Sequence, residues 1–259
     1  MNILVFDIET IPDINSGRKI FNLEDLNDKN VAELMFSYRY QQSDGRTEFL
    51  QHYLHRIVAI SVLLKTDDKL NVWSLGDKDS SEAELLRRFF EGIERYTPTI
   101  VSWNGSGFDL PVIHYRSLIQ GVTSQRYWEN GDSDQSFRWN NYLSRFHSRH
   151  TDLMDVLSGY IPTARAPLNE IATILGFPGK MGMSGEKVWD YFLAGDIESI
   201  RNYCETDVLN TYLVYLRYQL IRGKLTNNLL IEEYQKVCNM LENEKKTHLK
   251  EFLEVWKVD

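Results

Sequence analysis

Asn2-Ile-Leu-Val-Phe-Asp-Ile-Glu-Thr-Ile-Pro12 decides the fold class of this chain. Met1 to Phe6 is its longest apolar run, interrupted only by Asn2, and Ile3 to Phe6 has the β-rich composition of a buried strand. Asp7-Ile-Glu9 ends that strand. Alternate strand residues share a face, so Asp7 and Glu9 project together while Ile8 points to the other side. Two like charges side by side on a buried strand cost energy unless a cation lies between them. Oxygen-only ligands imply a hard ion, Mg²⁺ or Mn²⁺. Taken in isolation, an Asp-x-Glu reads more readily as two solvated residues at a strand end.

Working outward, Pro12 to Gln51 is polar, with too few periodic apolar residues to define an element. Arg56–Leu64 and Lys69–Ser74 read as strands joined by the Thr66-Asp67-Asp68 turn, an antiparallel hairpin. Ser80 or Ser81 caps a helix to about Arg95, with Glu82 and Glu84 in its first turn. Thr99–Ser102 is a short strand and Asp109–Gln120 a helix with Pro111 tolerated near its start. Residues 121–150 are irregular and rich in arginine and aromatics. Helical patterns follow at about 152–157, 167–175, 185–194, 196–222 and 229–256, the last as a C-terminal extension. This order predicts one α/β domain over residues 1–259, with a mixed central sheet flanked by helices and an insertion at about 121–150.

Composition narrows the function. At 42% hydrophobic and 25% charged, the 259 residues have the make-up of a soluble protein. Lys and Arg number 29 against 37 Asp and Glu, a net charge of −8. That argues against a passive nucleic-acid coat, which needs a broad basic surface. It allows an enzyme that holds nucleic acid through metal ions and a local basic groove. No stretch approaches the roughly 18–20 apolar residues of a membrane span. The N-terminus lacks the basic region of a signal peptide. Cys204 and Cys238 cannot build a disulfide framework or a zinc site, so the expected compartment is the reducing cytoplasm.

Two further motifs carry chemistry. Asn104-Gly-Ser-Gly-Phe-Asp109 follows the fourth strand: Gly105 and Gly107 permit a tight loop, and Asp109 opens the next helix. Tyr203-Cys-Glu-Thr-Asp207 lies within the long helix, where Tyr203 and Asp207 share a face and Glu205 points elsewhere. Alone, Asp109 reads as a helix cap and Tyr203 as a half-buried hydrogen-bond donor. Together, Asp-x-Glu, Asn-x-x-x-Phe-Asp and Tyr-x-x-x-Asp resemble the DEDD superfamily of 3′–5′ exonucleases in its tyrosine subclass. The resemblance is strongest to the predicted exonucleases related to the proofreading domain of family B DNA polymerases. Leu175-Gly-Phe-Pro-Gly-Lys180 and Gly185-Glu-Lys-Val188 also look like that group, so the resemblance runs over nearly the whole chain.

The resemblance implies a ribonuclease H-like fold and a two-metal hydrolysis of phosphodiesters from the 3′ end of single-stranded DNA. Asp7 would bridge both ions, Glu9 and Asp207 would complete the first, Asp109 would hold the second, and Tyr203 would orient the attacking water. Thr10, Ile11, Asn104 and Phe108 would meet the substrate, and Lys180 is a candidate phosphate contact; strand-end packing and a solvated loop lysine are the alternatives for Thr10, Ile11 and Lys180. Asp152 and Asp155 read as the start of a helix before they read as ligands. The Arg/aromatic stretch suits single-strand binding or a flap packed on the domain. An exoribonuclease, an inactive nucleic-acid scaffold and a ribonuclease H-like endonuclease are the competing functions. No membrane partner is expected.

Overall fold

A computed structural model describes residues 2–256; Met1, at the head of the apolar run, and residues 257–259 lie outside it. The strands are β1 (Ile3–Pro12), β2 (His55–Lys65), β3 (Leu70–Ser74), β4 (Thr99–Ser102) and β5 (His150–Asp152). They form one five-stranded sheet in the order β3-β2-β1-β4-β5. The β1–β2 and β2–β3 pairings are antiparallel, whereas β1–β4 and β4–β5 are parallel. The helices are α1 (Ile14–Phe21), α2 (Asp28–Gln42), α3 (Glu82–Tyr96), α4 (Asp109–Gln120), α5 (Gln125–Trp128), α6 (Leu153–Leu157), α7 (Leu168–Ile174), α8 (Val188–Leu193), α9 (Ile197–Ile221), α10 (Asn227–Glu242) and α11 (Thr247–Val255).

The alternation of β1 divides the core. Leu4, Phe6 and Ile8 pack with Leu86, Phe89 and Ile93 of α3 and with Val112 and Ile113 of α4. Ile3 and Val5 face the other way, onto Val208, Leu209 and Tyr212 of α9. On that second face the apolar series is interrupted at Asp7 and Glu9, beside α9, and resumes at Ile11. The central strand is therefore built as a hydrophobic anchor with a polar window halfway along it.

Four features depart from the sequence reading. First, β1 continues to Pro12, so Asp7 and Glu9 are mid-strand: β2 supplies partners as far as His55. Second, the polar stretch 13–51 holds α1 and α2, capped by Asp13 and Asn27. Their small core of Val31, Met35, Leu50 and Leu54 gave too few apolar positions to show a period. Third, β5 has only three residues, too few to alternate visibly, and is fastened by a His150–Ser102 hydrogen bond of 2.8 Å. Fourth, the expected helix over 229–256 breaks between Glu242 and Thr247, and the break lets Lys246 and His248 both reach Glu205.

Residues 121–150 form a packed flap. Tyr127, Phe137 and Tyr142 are buried in the core. Arg149 lies 3.8 Å above the Phe137 ring, and Arg126 packs on the same ring while pairing with Asp134. The cation–aromatic contacts of Arg126 and Arg149 thus hold the stretch together on its buried rings, while Arg138 lies over the exposed Trp139.

Candidate active site

Three segments far apart in sequence meet beside the middle of β1. β4 leaves β1 after Val5, its last parallel partner. Past that point the β4-side edge of β1 is open, and Asp109, the first residue of α4, fills it: its Oδ1 accepts the Ile8 N–H at 3.2 Å. On the face of the sheet, α9 brings Tyr203, Cys204 and Asp207 against Asp7 and Glu9. Cys204 is buried and directs its thiol to the Asp7 carbonyl and carboxylate, each at 3.4 Å. One ligand atom each from Asp7, Glu9 and Cys204 lie within 4.8 Å of one another. Just beyond Glu9 the β1–β2 register slips by one residue, a bulge that adds local twist next to the carboxylates.

Among the described residues, no ion pair reaches Asp7, Glu9, Asp109 or Asp207. The consequence is electrostatic frustration. Burial first, then the charges of Asp109 and Asp207, push the Asp7 carboxyl well above its ordinary range. Burial and the neighbouring Asp7, Asp207 and Asp109 do the same to Glu9. Asp109 and Asp207 are each raised by burial to about 7, the latter restrained by the Tyr203 hydroxyl. Burial raises the Tyr203 hydroxyl as well, and the surrounding carboxylates raise it further. Tyr203 is therefore a neutral O–H donor, and Cys204, raised for the same reasons, is a neutral thiol. Neutral sulfur is a poor ligand for a hard cation, so the donor set that fits a metal here is carboxylate oxygen.

The loop before Asp109 is held from below by Asp152. Its carboxylate accepts from Asn104 N at 2.9 Å and Ser106 N at 2.8 Å while also capping α6. The left-handed residue in this loop is Asn104 (φ 65°), not a glycine. Gly105 and Gly107 are required for space instead: a Cβ on either would strike Ser102 Oγ or Asn104 Oδ1. Phe108 stands over this loop in an aromatic group with Phe49, His52 and His55.

The other expected substrate residues are divided. Thr10 Oγ1 is 2.9 Å from His55 Nδ1 and is partly open. Ile11 is buried among Ala59, Met183, Val188 and Ile200, so its side chain is a core residue. Lys180 is exposed in a loop tied to α9 by two Gly179–Asn210 hydrogen bonds of 3.1 and 2.9 Å, one turn beyond Asp207. Asp155 is paired with Arg145 and Arg165. Sequence reasoning missed Cys204 and the bulge. Arg116, which the sequence groups with the Arg/aromatic stretch as a candidate strand contact, is instead buried on α4, where it bridges Asp13 at the end of β1 to Glu82 of α3 and so fixes α4 against β1.

The sheet order, with a mixed central sheet between helical layers and carboxylates beside its middle strand, defines a ribonuclease H-like α/β fold. Residues 47–256 match the family described as "Predicted 3'-5' exonuclease related to the exonuclease domain of PolB". The chain belongs to that family. The matched region holds Asp109, Tyr203 and Asp207; Asp7 and Glu9 precede it. The chain is also 28% identical over 145 residues to the catalytic subunit of DNA polymerase epsilon from Saccharomyces cerevisiae, covering 54% of this chain and 6% of that protein. It is 24% identical over 209 residues to a DNA polymerase of Archaeoglobus fulgidus, covering 72% of this chain and 26% of that one. This chain thus spans about a quarter or less of either relative. Among the described residues no helix is long and apolar enough to cross a membrane.

Proposed function

We propose that this protein is a metal-dependent 3′–5′ exonuclease that removes nucleotides from the 3′ end of single-stranded DNA, with residues 1–259 acting as one domain. The observation that carries the reading is the convergence of Asp7, Glu9, Asp109 and Asp207, none of them paired with a cationic side chain among the described residues and each held above its ordinary pKa. Such a site is stable in its ionised form only when positive charge is added. Two divalent ions, Mg²⁺ or Mn²⁺, would lower the pKa of a bound water and neutralise the leaving 3′ oxygen. Asp7 would be shared between them, Glu9 and Asp207 would face one, and Asp109 the other. Tyr203, kept protonated, would hold the attacking water through its hydroxyl. Phe108 and Thr10 flank the carboxylates and would position the terminal nucleotide, with Asn104 supporting the loop between them.

DNA is favoured over RNA because the matched relatives are DNA polymerases. The test is digestion of 5′-labelled single-stranded DNA, duplex DNA, RNA and circular DNA with Mg²⁺ or Mn²⁺. The expected result is a ladder shortening from the 3′ end of the linear single strand, with circles left intact and no turnover in excess chelator. Folded protein that leaves every linear substrate whole in Mn²⁺ would overturn the reading, and cleaved circles would reassign it as an endonuclease.

A further inference from the structure

A second feature lies on the flap side of the Asn104–Phe108 loop. Ser106 and Gly107 of that loop, with Leu110, Pro111 and His114 of α4, form one side of a cavity of about 280 Å³. Tyr127, Tyr142 and Leu143 of the flap form another side, and Arg145, Arg165 and Asp155 complete the lining. The two arginines come from different segments and converge on one carboxylate. Arg145 Nη2 donates to Asp155 Oδ2 at 3.0 Å, and Arg165 Nη2 to Oδ1 at 2.8 Å. Asp155 is only 3% exposed, while the arginine side chains are 47% and 34% exposed. The buried carboxylate thus acts as a peg that aims two half-open guanidinium groups at one place.

Each guanidinium carries five N–H donors, and only Nη2 of each is engaged on Asp155. Among the described residues, no other hydrogen bond engages either one. Two arginines against one carboxylate leave a net positive charge on a chain whose total is −8. His114 and His150, which also line the cavity, are held neutral by burial, each lowered to about 4, so they add no charge. The Arg145 guanidinium lies 4.6 Å from the ring centre of Tyr160 and 5.8 Å from that of Phe146; the two rings are 5.5 Å apart, and Phe146 is still 77% exposed. Spare guanidinium donors next to an open aromatic face are the chemistry that holds a single strand: phosphate on the arginines, base on the ring.

We infer that Arg145 and Arg165, set by Asp155, form a phosphate-binding subsite for the nucleic-acid strand as it leads past Ser106–Gly107 towards Asp109. This deepens the exonuclease reading and rests on it. It also separates three of the flap's four arginines: Arg126 and Arg149 pack on Phe137 and hold the flap, and Arg145 works outward.

The test measures fluorescence anisotropy of a 5′-fluorescein-labelled oligo-dT on full-length protein carrying Asp7→Asn to prevent digestion, across a salt series. Arg145→Gln/Arg165→Gln should weaken binding about tenfold or more and flatten the salt slope by about 0.7 for each phosphate no longer neutralised. Because that variant leaves Asp155 unpaired, Arg145→Lys/Arg165→Lys is measured beside it. Lysine keeps a cation for each Asp155 oxygen but removes the spare planar donors, so affinity should still drop while the melting temperature stays close to that of the parent. Lowered melting with unchanged affinity and salt slope in both variants would make the pair a structural knot and overturn the subsite. Digestion by the wild-type enzyme is run in parallel. Digestion together with unaltered binding by the arginine variants removes this inference alone, whereas a wild type that neither binds nor digests removes the exonuclease reading and the subsite with it.

Discussion

Glu205 and Asp207 stand two residues apart on α9, yet their carboxyl groups are in opposite states. Burial pushes Glu205 up, but His248, Lys246 and Ser74 outweigh it and hold the carboxyl down to about 2. Asp207 is half-buried, has no cation paired with it among the described residues, and is raised by desolvation to about 7. Asp13 and Glu82 repeat the first arrangement, sharing the buried Arg116, while Asp7, Glu9 and Asp109 repeat the second. For Glu205, Asp13 and Glu82 this chain supplies the cation from its own sequence, and it satisfies the buried Asp152 with backbone N–H groups. Where it leaves four acids together without one, the missing charge has to come from outside the chain.

The largest effect should come from the unpaired group. Asp7→Asn is expected to reduce hydrolysis to the assay background while the far-UV spectrum is unchanged and the metal-free protein melts at a higher temperature, because a repelling charge has gone. A folded Asp7→Asn enzyme with near-normal turnover would break the contrast by making Asp7 another structural acid.

The paired group should respond in the opposite sense. Arg116→Met leaves Asp13 and Glu82 buried without their cation, and removal of one partner from a buried ion pair costs about 3–5 kcal/mol. At roughly 2–4 °C per kcal/mol for a chain of this size, urea and thermal unfolding should register the loss clearly. A melting temperature within a degree of wild type would show that Arg116 is not what joins α4 to β1.

Tyr203→Phe tests the group between the two. It keeps the ring and removes the hydroxyl facing Asp207. A hydrogen bond to a charged group is worth about 1.5–3 kcal/mol, so kcat should fall about ten- to a hundredfold with KM little changed. A rise in KM at constant kcat would make Tyr203 a binding or packing residue.

Much of this contrast was legible in the sequence. The β1 alternation put Asp7 and Glu9 on one face, and helical spacing put Tyr203 with Asp207 and turned Glu205 away. Asp109 opening a helix after a short strand was equally readable. What could not be read was the partner of each acid. Lys246 and His248 reach Glu205 only because the C-terminal helix breaks, and Arg116 meets Asp13 across more than a hundred residues. Cys204 hid inside a helical motif whose spacing drew attention to its neighbours. The bulge after Glu9 depends on a cross-strand register that neither strand carries alone. Local periodicity reports which face a residue occupies, and the charge opposite it is set by tertiary contact.

The smallest expected effect, and the one that separates the two kinds of acid most cleanly, is the pH dependence of stability. The raised carboxyls of the cluster keep protons that the unfolded chain has already released, so the metal-free protein should lose stability as pH climbs from about 4 through about 7. Glu205 works the other way: its contribution is intact above about 4.5 and is lost only as pH falls through about 2, outside that window. A divalent ion needs the ionised carboxylates, so the shift it produces should be slight at pH 5 and grow through pH 7. At ten times its dissociation constant the ion adds about 1.4 kcal/mol, a rise of roughly 3–6 °C in melting temperature. Differential scanning fluorimetry with and without Mn²⁺ at pH 5 and pH 8 reads the cluster's slope and its dependence on the ion, with Asp7→Asn as the control that should lose the ion-dependent part. An equal shift at both pH values, or one that survives Asp7→Asn, would place the ion elsewhere and leave the four carboxylates without the role that their missing partner assigns them.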